Sequence, residues 1–135
     1  MPPERLPPDD PREWLNRARS NLVRAQTTLP GVYLDDLCFD AQQAAEKAVK
    51  AVLIARGVDF PIIHDLSRLL TLLGQSGETI PPAIADATDL TRFAVVTRYP
   101  SVAEPVTAEE HRRTAAIAEA VVKWAERRVG EAGER

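Results

Sequence analysis

Five side chains in this sequence combine the charges and rings that binding a phosphate or a nucleotide base requires. His64 stands where a helix is expected to begin, and the backbone N–H groups at a helix start favour an anion. Arg98 and Tyr99 stand where another predicted helix ends, and two lysines lie off the apolar stripe of the second helix. Cationic groups hold phosphate, and a ring stacks on a base. The candidate nucleotide- or phosphate-binding residues are therefore Lys47, Lys50, His64, Arg98 and Tyr99.

Plain structural interpretations stand beside the binding hypothesis. His64 or Asp65 is expected to cap the third helix, and a partly buried histidine held by that cap would need no ligand. Tyr99 fits equally well as a boundary residue, with its ring in the core and its hydroxyl in water. Glu46 and Lys50 are four residues apart and can simply support their own helix.

Other kinds of chemistry lack their sequence signatures. The chain has no glycine-rich phosphate loop, no cluster with metal-ligand spacing and no Ser/His/Asp pattern. Cys38 is the single cysteine, so an intrachain disulfide and a thiolate metal cluster are excluded, and we expect a small buried hydrophobic residue there. The sequence predicts no catalytic residue, no metal and no cofactor.

Length and charge restrict the class of protein. The 135 residues fit one domain, and 17 Lys and Arg against 20 Asp and Glu give a net charge of -3. This balance argues against a general nucleic-acid binder, which would carry a basic excess. No apolar run has the length of a membrane span, and the N-terminus lacks the layout of a signal peptide, so we expect a cytoplasmic protein.

The hydrophobic periodicity predicts an all-α fold, an up-and-down bundle of four long helices plus one short helix. We expect residues 1–9 to be a disordered tail, 10–130 to form the bundle and 131–135 to fray. Asp10 is predicted to cap the first helix, with Glu13 reaching back to it. Thr107 and Glu110 have the spacing of a capping box for the last helix, which should end at Gly130. Inward-facing positions of the fourth helix are Ile84, Ala87, Leu90, Phe93 and Ala94.

The second helix is predicted to be the centre of the core. Its apolar stripe is rich in alanine, and small side chains let neighbouring helices approach closely. Gly57 supplies the left-handed position that commonly ends a helix. The stripe comprises Leu37, Ala41, Ala44, Ala45, Ala48, Val52 and Ala55.

The same stretch resembles the HEPN domain family (higher eukaryotes and prokaryotes nucleotide-binding). The resemblance rests on FDAQQAAEKAVKA at 39–51, then Gly57, Pro61, HDL at 64–66 and LL at 69–70. Downstream, RYP at 98–100 resembles the junction before the last helix of that family. The similarity extends from about Trp14 to Trp124.

One motif of the HEPN family, an arginine and a histidine at a fixed spacing, is absent from this sequence, and its absence bears on activity. HEPN proteins that cut RNA carry an arginine followed, after four to six residues, by a histidine. Here seven residues separate Arg56 from His64, and twelve separate Arg98 from His111. The resemblance therefore implies the branch without ribonuclease activity. A ribonuclease that uses Arg98 with His64 or His111 in a non-standard site is the alternative.

The resemblance also implies partners. Similar proteins are often encoded beside a minimal nucleotidyltransferase, which implies a nucleotide-binding or regulatory module in a two-component, toxin-antitoxin-like system. The expected ligand is a nucleotide such as ATP, and HEPN domains commonly form homodimers. A non-catalytic dimeric interaction scaffold is a further alternative.

Overall fold

The computed structural model describes residues 1–94 and 105–133, with side chains described up to residue 130. Within these ranges every regular element is helical, which confirms the all-α helical bundle. The elements are α1 (Pro11–Gln26), α2 (Leu34–Ala55), α3 (Leu66–Gln75), α4 (Pro82–Ala85), a 3₁₀ helix (Asp86–Ala94) and α5 (Ala108–Gly133).

Helix α1 packs antiparallel to both α2 and α5, and its polar contacts show the direction. Along each interface the residue numbers rise on one helix and fall on the other. The pairs are Arg24–Asp40 and Asn21–Lys47 for α2, and Gln26–Glu119 and Arg19–Glu126 for α5. Helices α2 and α5 therefore run in the same direction, with α1 opposed to both.

The centre of the core is α2, as its alanine-rich stripe predicted. Ala41, Ala44 and Ala48 are fully buried, and α1, α3, α5 and the 3₁₀ helix all contact this helix. Small side chains reduce the interaxial distance and so allow packing on several sides. Gly57 has a positive φ of 69°, and the N–H of Val58 donates to the carbonyl of Leu53 at 2.9 Å. The chain thus leaves α2 through the predicted left-handed turn.

Residues 82–94 form one α-helical turn followed by a 3₁₀ helix, in place of a continuous α-helix. The apolar positions from Ile84 to Phe93 follow a strict three-residue spacing, which puts them on one edge of a helix with three residues per turn. All of the predicted inward-facing positions are buried: Ile84, Ala87, Leu90, Phe93 and Ala94.

The predicted caps of α1 and α5 form, with one change of partner. The Asp10 carboxylate accepts the Arg12 N–H at 2.9 Å, but Glu13 accepts the N–H of Leu6 at 3.0 Å and makes no bond back to Asp10. Thr107 and Glu110 exchange the two bonds of a capping box, at 3.0 and 3.3 Å. Helix α5 continues past Gly130 to Gly133, so the predicted end was three residues early.

Candidate functional site

A buried carboxylate on α2, that of Glu46, collects three hydrogen-bond donors. Its side chain is only 3% exposed. Gln42 Nε2 donates to Oε1 at 3.0 Å, Lys50 Nζ donates to Oε2 at 2.9 Å, and His64 Nδ1 lies 3.0 Å from Oε1 and 3.1 Å from Oε2. We call these four residues the Glu46 cluster. Three of them recur every four residues along α2 and therefore share one face of the helix.

His64 is the exposed member of the cluster. It precedes α3, and the turn at Gly57 brings this segment back alongside α2, so that the ring reaches Glu46. Both oxygens of Glu46 already accept hydrogen bonds, from Gln42 and Lys50, so His64 Nδ1 is the donor in this contact and carries the proton. The side chain is 57% exposed, and Nε2 makes no hydrogen bond to a residue in the described ranges. The second ring nitrogen is therefore available to a ligand.

Lys50 does not face solvent, although its position off the apolar stripe made it a candidate phosphate ligand. Its side chain is 7% exposed, and its ammonium group lies 5.8 Å from the ring centres of Trp14 and Phe60. The paired carboxylate of Glu46 neutralises its charge. Lys50 therefore holds Glu46 in position and is not itself presented to solvent.

Lys47 faces α1. Its Nζ donates to Asn21 Oδ1 at 2.7 Å, and Asn21 Nδ2 in turn donates to Asp40 Oδ1 at 3.0 Å. Burial lowers the pKa of Lys47, because desolvation penalises the ammonium form. The fold thus directs Lys47 into a polar contact between α1 and α2, and it does not bring Lys47 to His64.

The start of α3 does not provide the free backbone donors that the sequence suggested. Asp65 caps the helix and accepts the N–H groups of Ser67 and Arg68 at 3.0 and 3.5 Å. The N–H of Leu66 donates to the Thr91 hydroxyl at 3.2 Å. Anion binding at this position would therefore depend on the His64 side chain.

The second histidine is used inside the fold. His111 is buried, and its Nε2 lies 2.7 Å from the carbonyl oxygen of Ala25. A carbonyl only accepts, so Nε2 donates, and the ring satisfies a carbonyl in the last turn of α1. This geometry removes His111 from the alternative ribonuclease site. Arg98 and Tyr99 lie outside the described residues.

A second buried carboxylate, Glu78, was missed by the sequence analysis. Its Oε2 lies 2.8 Å from Arg56 Nη2 and its Oε1 lies 2.6 Å from Arg128 Nε in two ion pairs, and its side chain is 3% exposed. The pair of guanidinium groups ties the end of α2 and the last turns of α5 to the segment after α3. No sequence pattern marked Glu78, whereas the missed residue Gln42 had one, the 42, 46, 50 repetition.

The described ranges contain neither a candidate metal site nor a helix that could span a membrane. No group of three or more His, Cys, Asp or Glu side chains there could hold a metal ion. No described helix is both long and apolar enough to cross a membrane.

Comparisons with known proteins agree with the helical fold. A family model described as the HEPN domain matches residues 11–128. TT1696 from Thermus thermophilus superposes with a TM-score of 0.76 at 33% identity, over 89% of this chain and 98% of that one. ST0689, an archaeal HEPN homologue, superposes with a TM-score of 0.72 at 27% identity, over 94% and 99%. No curated protein matches the chain.

Proposed function

Since the chain belongs to the HEPN domain family, we propose that it is a nucleotide-binding regulatory module, the non-catalytic partner of a minimal nucleotidyltransferase in a two-component, toxin-antitoxin-like system. The observation that carries the proposal is His64, whose exposed ring is held by the buried carboxylate of Glu46. In this proposal a phosphate of a nucleotide such as ATP contacts His64 Nε2.

The charges of the Glu46 cluster favour an anion at this ring. Lys50 balances Glu46, so protonation of His64 adds one positive charge at the exposed end of the cluster. Nδ1–H then stays with Glu46, and Nε2–H donates to a phosphate oxygen in a charge-assisted bond. Because Glu46 already holds the ring, the His64 side chain loses less conformational entropy when a phosphate binds.

The loop beside His64 offers an apolar contact to a base or to the transferase. Ile62, two residues before the histidine, is 96% exposed, and its neighbour Pro61 is also exposed. We keep Arg98 and Tyr99 in the proposal as the phosphate and base contacts that their residue types favour. Their part is tested by substitution, as for His64.

Calorimetric titration with ATP, GTP and a short single-stranded RNA tests the ligand. We expect saturable nucleotide binding that His64→Gln and Arg98→Ala each weaken. His111→Gln is the matched control, because a glutamine amide can still donate to the Ala25 carbonyl and the variant removes the other histidine. An RNA integrity gel on the same samples should show intact RNA. No nucleotide binding, or RNA loss that depends on His64, would contradict the proposal.

The partner is tested by mixing the chain with a purified minimal nucleotidyltransferase encoded beside it. We expect co-elution in size-exclusion chromatography, weakened by Ile62→Asp and unchanged by Arg112→Gln, an exposed position on α5. If the two proteins elute separately with and without nucleotide, the two-component proposal is wrong and the interaction scaffold becomes the better account.

We assign the proposed homodimer to the groove where α1 ends and α2 begins. This groove encloses about 580 Å³ and is lined by Leu37 and Phe39 among others. Apolar side chains that line it are exposed to water, with Val23 62%, Leu29 59% and Val32 40% exposed. Apolar surface of this kind is typical of interaction sites.

A further inference from the structure

The Glu46 cluster has the arrangement of an activated imidazole. Glu46 fixes the proton on Nδ1 of His64, and the neutral ring therefore carries its lone pair on Nε2. The side chain that carries this nitrogen is 57% exposed, while the carboxylate that orients the ring is 3% exposed. A nucleophile oriented by a second group, which a third group holds in turn, is a signature of covalent chemistry.

We propose that His64 is a phosphoryl acceptor, with Nε2 as the nucleophile and a phosphoanhydride or phosphoramidate as the donor. A bond forms from Nε2 to phosphorus, and the bond from phosphorus to its leaving group breaks. The leaving group departs with that electron pair. The ring gains positive charge during the attack and afterwards releases the Nδ1 proton, which the leaving group or solvent takes up.

Glu46 acts in this step as a positioning residue. Its carboxylate accepts the hydrogen bond from Nδ1–H, which fixes the neutral ring in the tautomer with the lone pair on Nε2. The same carboxylate stabilises the positive charge that develops on the ring during the attack. Gln42 and Lys50 hold the carboxylate from the other side, at 3.0 and 2.9 Å. The supporting groups are thus in place before a donor arrives.

His111 is an internal control for the reactivity of His64. His111 is buried, and its Nε2 donates to the carbonyl of Ala25, so that nitrogen has neither access to solvent nor a free lone pair. Only His64 should therefore be modified in the folded protein. In the unfolded chain both histidines are exposed and lack these partners, so they should react alike.

This inference concerns the same nitrogen as the proposed function and rests on it only in placing phosphate chemistry at His64. Different experiments test the proposed function and the phosphoryl-acceptor proposal, so one can be wrong while the other holds. Titration with ATP measures reversible binding, whereas the covalent test below uses a small donor without a nucleoside. Covalent labelling without nucleotide binding would overturn the proposed function alone.

The test is incubation of the folded protein with potassium phosphoramidate. Intact mass and peptide mapping then follow an acid-labile phosphoryl group over time, and ammonia is the leaving group. We expect the label on His64 alone, at a rate above that of the same peptide in the urea-unfolded chain. His64→Gln should abolish the label, while His111→Gln leaves it unchanged.

Dependence on Glu46 separates this proposal from simple exposure of a histidine. Glu46→Gln should lower the labelling rate of His64 on the order of tenfold, the lower end of the losses seen when a metal-bound histidine loses the carboxylate that orients it. The double variant Glu46→Gln, Lys50→Met removes both buried charges and serves where the single variant does not fold. Labelling of His64 no faster than in urea, or equal rates in wild type and these variants, would overturn the proposal.

Discussion

Both carboxylate oxygens of Glu46 lie within 3.1 Å of His64 Nδ1, although 18 positions separate the two residues along the chain. The contact joins the middle of α2 to the segment that enters α3. It also connects a buried ion pair, Glu46 with Lys50, to a ring that is 57% exposed. The stability of the core and the chemistry of the surface are therefore coupled at this carboxylate.

Replacing Glu46 by glutamine should destabilise the fold by about 3 kcal/mol, because it leaves the buried ammonium group of Lys50 without a counter-charge. Urea denaturation of wild type and variant measures this change. Adding Lys50→Met removes the uncompensated charge and should restore part of the loss. Strictly additive effects of the two substitutions would show that the pair is not coupled.

Glu78→Gln should lower the free energy of unfolding by about 2 kcal/mol, since it removes the carboxylate between Arg56 and Arg128. The two guanidinium groups keep 24% and 29% exposure, which places the expected loss below that at Glu46. Glu119→Gln is the control, because its ion pair lies on the surface and should contribute less than about 1 kcal/mol. Equal losses for Glu78→Gln and Glu119→Gln would show that the ion pairs of Glu78 with Arg56 and Arg128 add no more stability than a surface pair.

Burial raises the pKa of the Cys38 thiol to about 11. At pH 8 the folded protein should therefore react very slowly with a thiol reagent, and one thiol should react at once after unfolding in urea. Because the folded pKa lies above the unfolded value of about 8.5, the native state holds its proton longer, and stability should fall as the pH rises through that window. Cys38→Ala should remove this part of the alkaline slope, and rapid labelling of the native protein would contradict the burial.

The capping box of α5 should contribute to acid sensitivity. The backbone N–H of Thr107, followed by the guanidinium of Arg92, lowers the pKa of Glu110 below its ordinary value. The unfolded chain then binds the proton more readily, so this stabilisation is present above the unfolded pKa of about 4.3 and is lost as the pH falls through the folded pKa.

Thermal unfolding of Glu110→Gln, measured from neutral to acid pH, tests the direction of this pH dependence. The difference in Tm from wild type should be largest at neutral pH and should shrink as the solution is acidified. Glu109→Gln changes a neighbouring exposed carboxylate outside the capping box and serves as the control. A difference that grows toward acid pH would contradict the cap.

Introducing a charge at Leu29 should weaken the proposed homodimer. Leu29→Asp places a carboxylate among the exposed apolar side chains at the rim of the groove, where a second copy would have to desolvate it. Light scattering coupled to size-exclusion chromatography should show a shift from dimer to monomer. Ile62→Asp, in the His64 loop, is the matched apolar-to-charged control, and a shift there instead would move the interface to that loop.

Local signals in the sequence were sufficient for the positions of the helices, for most of their caps and for the resemblance to the family. Asp10, Gly57 and the Thr107/Glu110 pair lie next to the backbone groups that they satisfy, so residue type and spacing identify them. The alanine stripe marked α2 as the central helix for a similar reason, because periodicity along one helix is a local property. The three-residue spacing from Ile84 to Phe93 also indicated a 3₁₀ helix, but we predicted a long α-helix there and were right only about its buried face.

Only the tertiary structure decided which polar residues work together. Lys50 looked like a surface charge and is buried, while His111 looked available and donates to α1. Helical periodicity gives the face of a side chain but not the partner that another element brings to it. Glu46 and His64 meet because the turn at Gly57 folds the following segment back along α2, and a contact across that turn depends on the path of the chain, which no spacing along a single helix encodes.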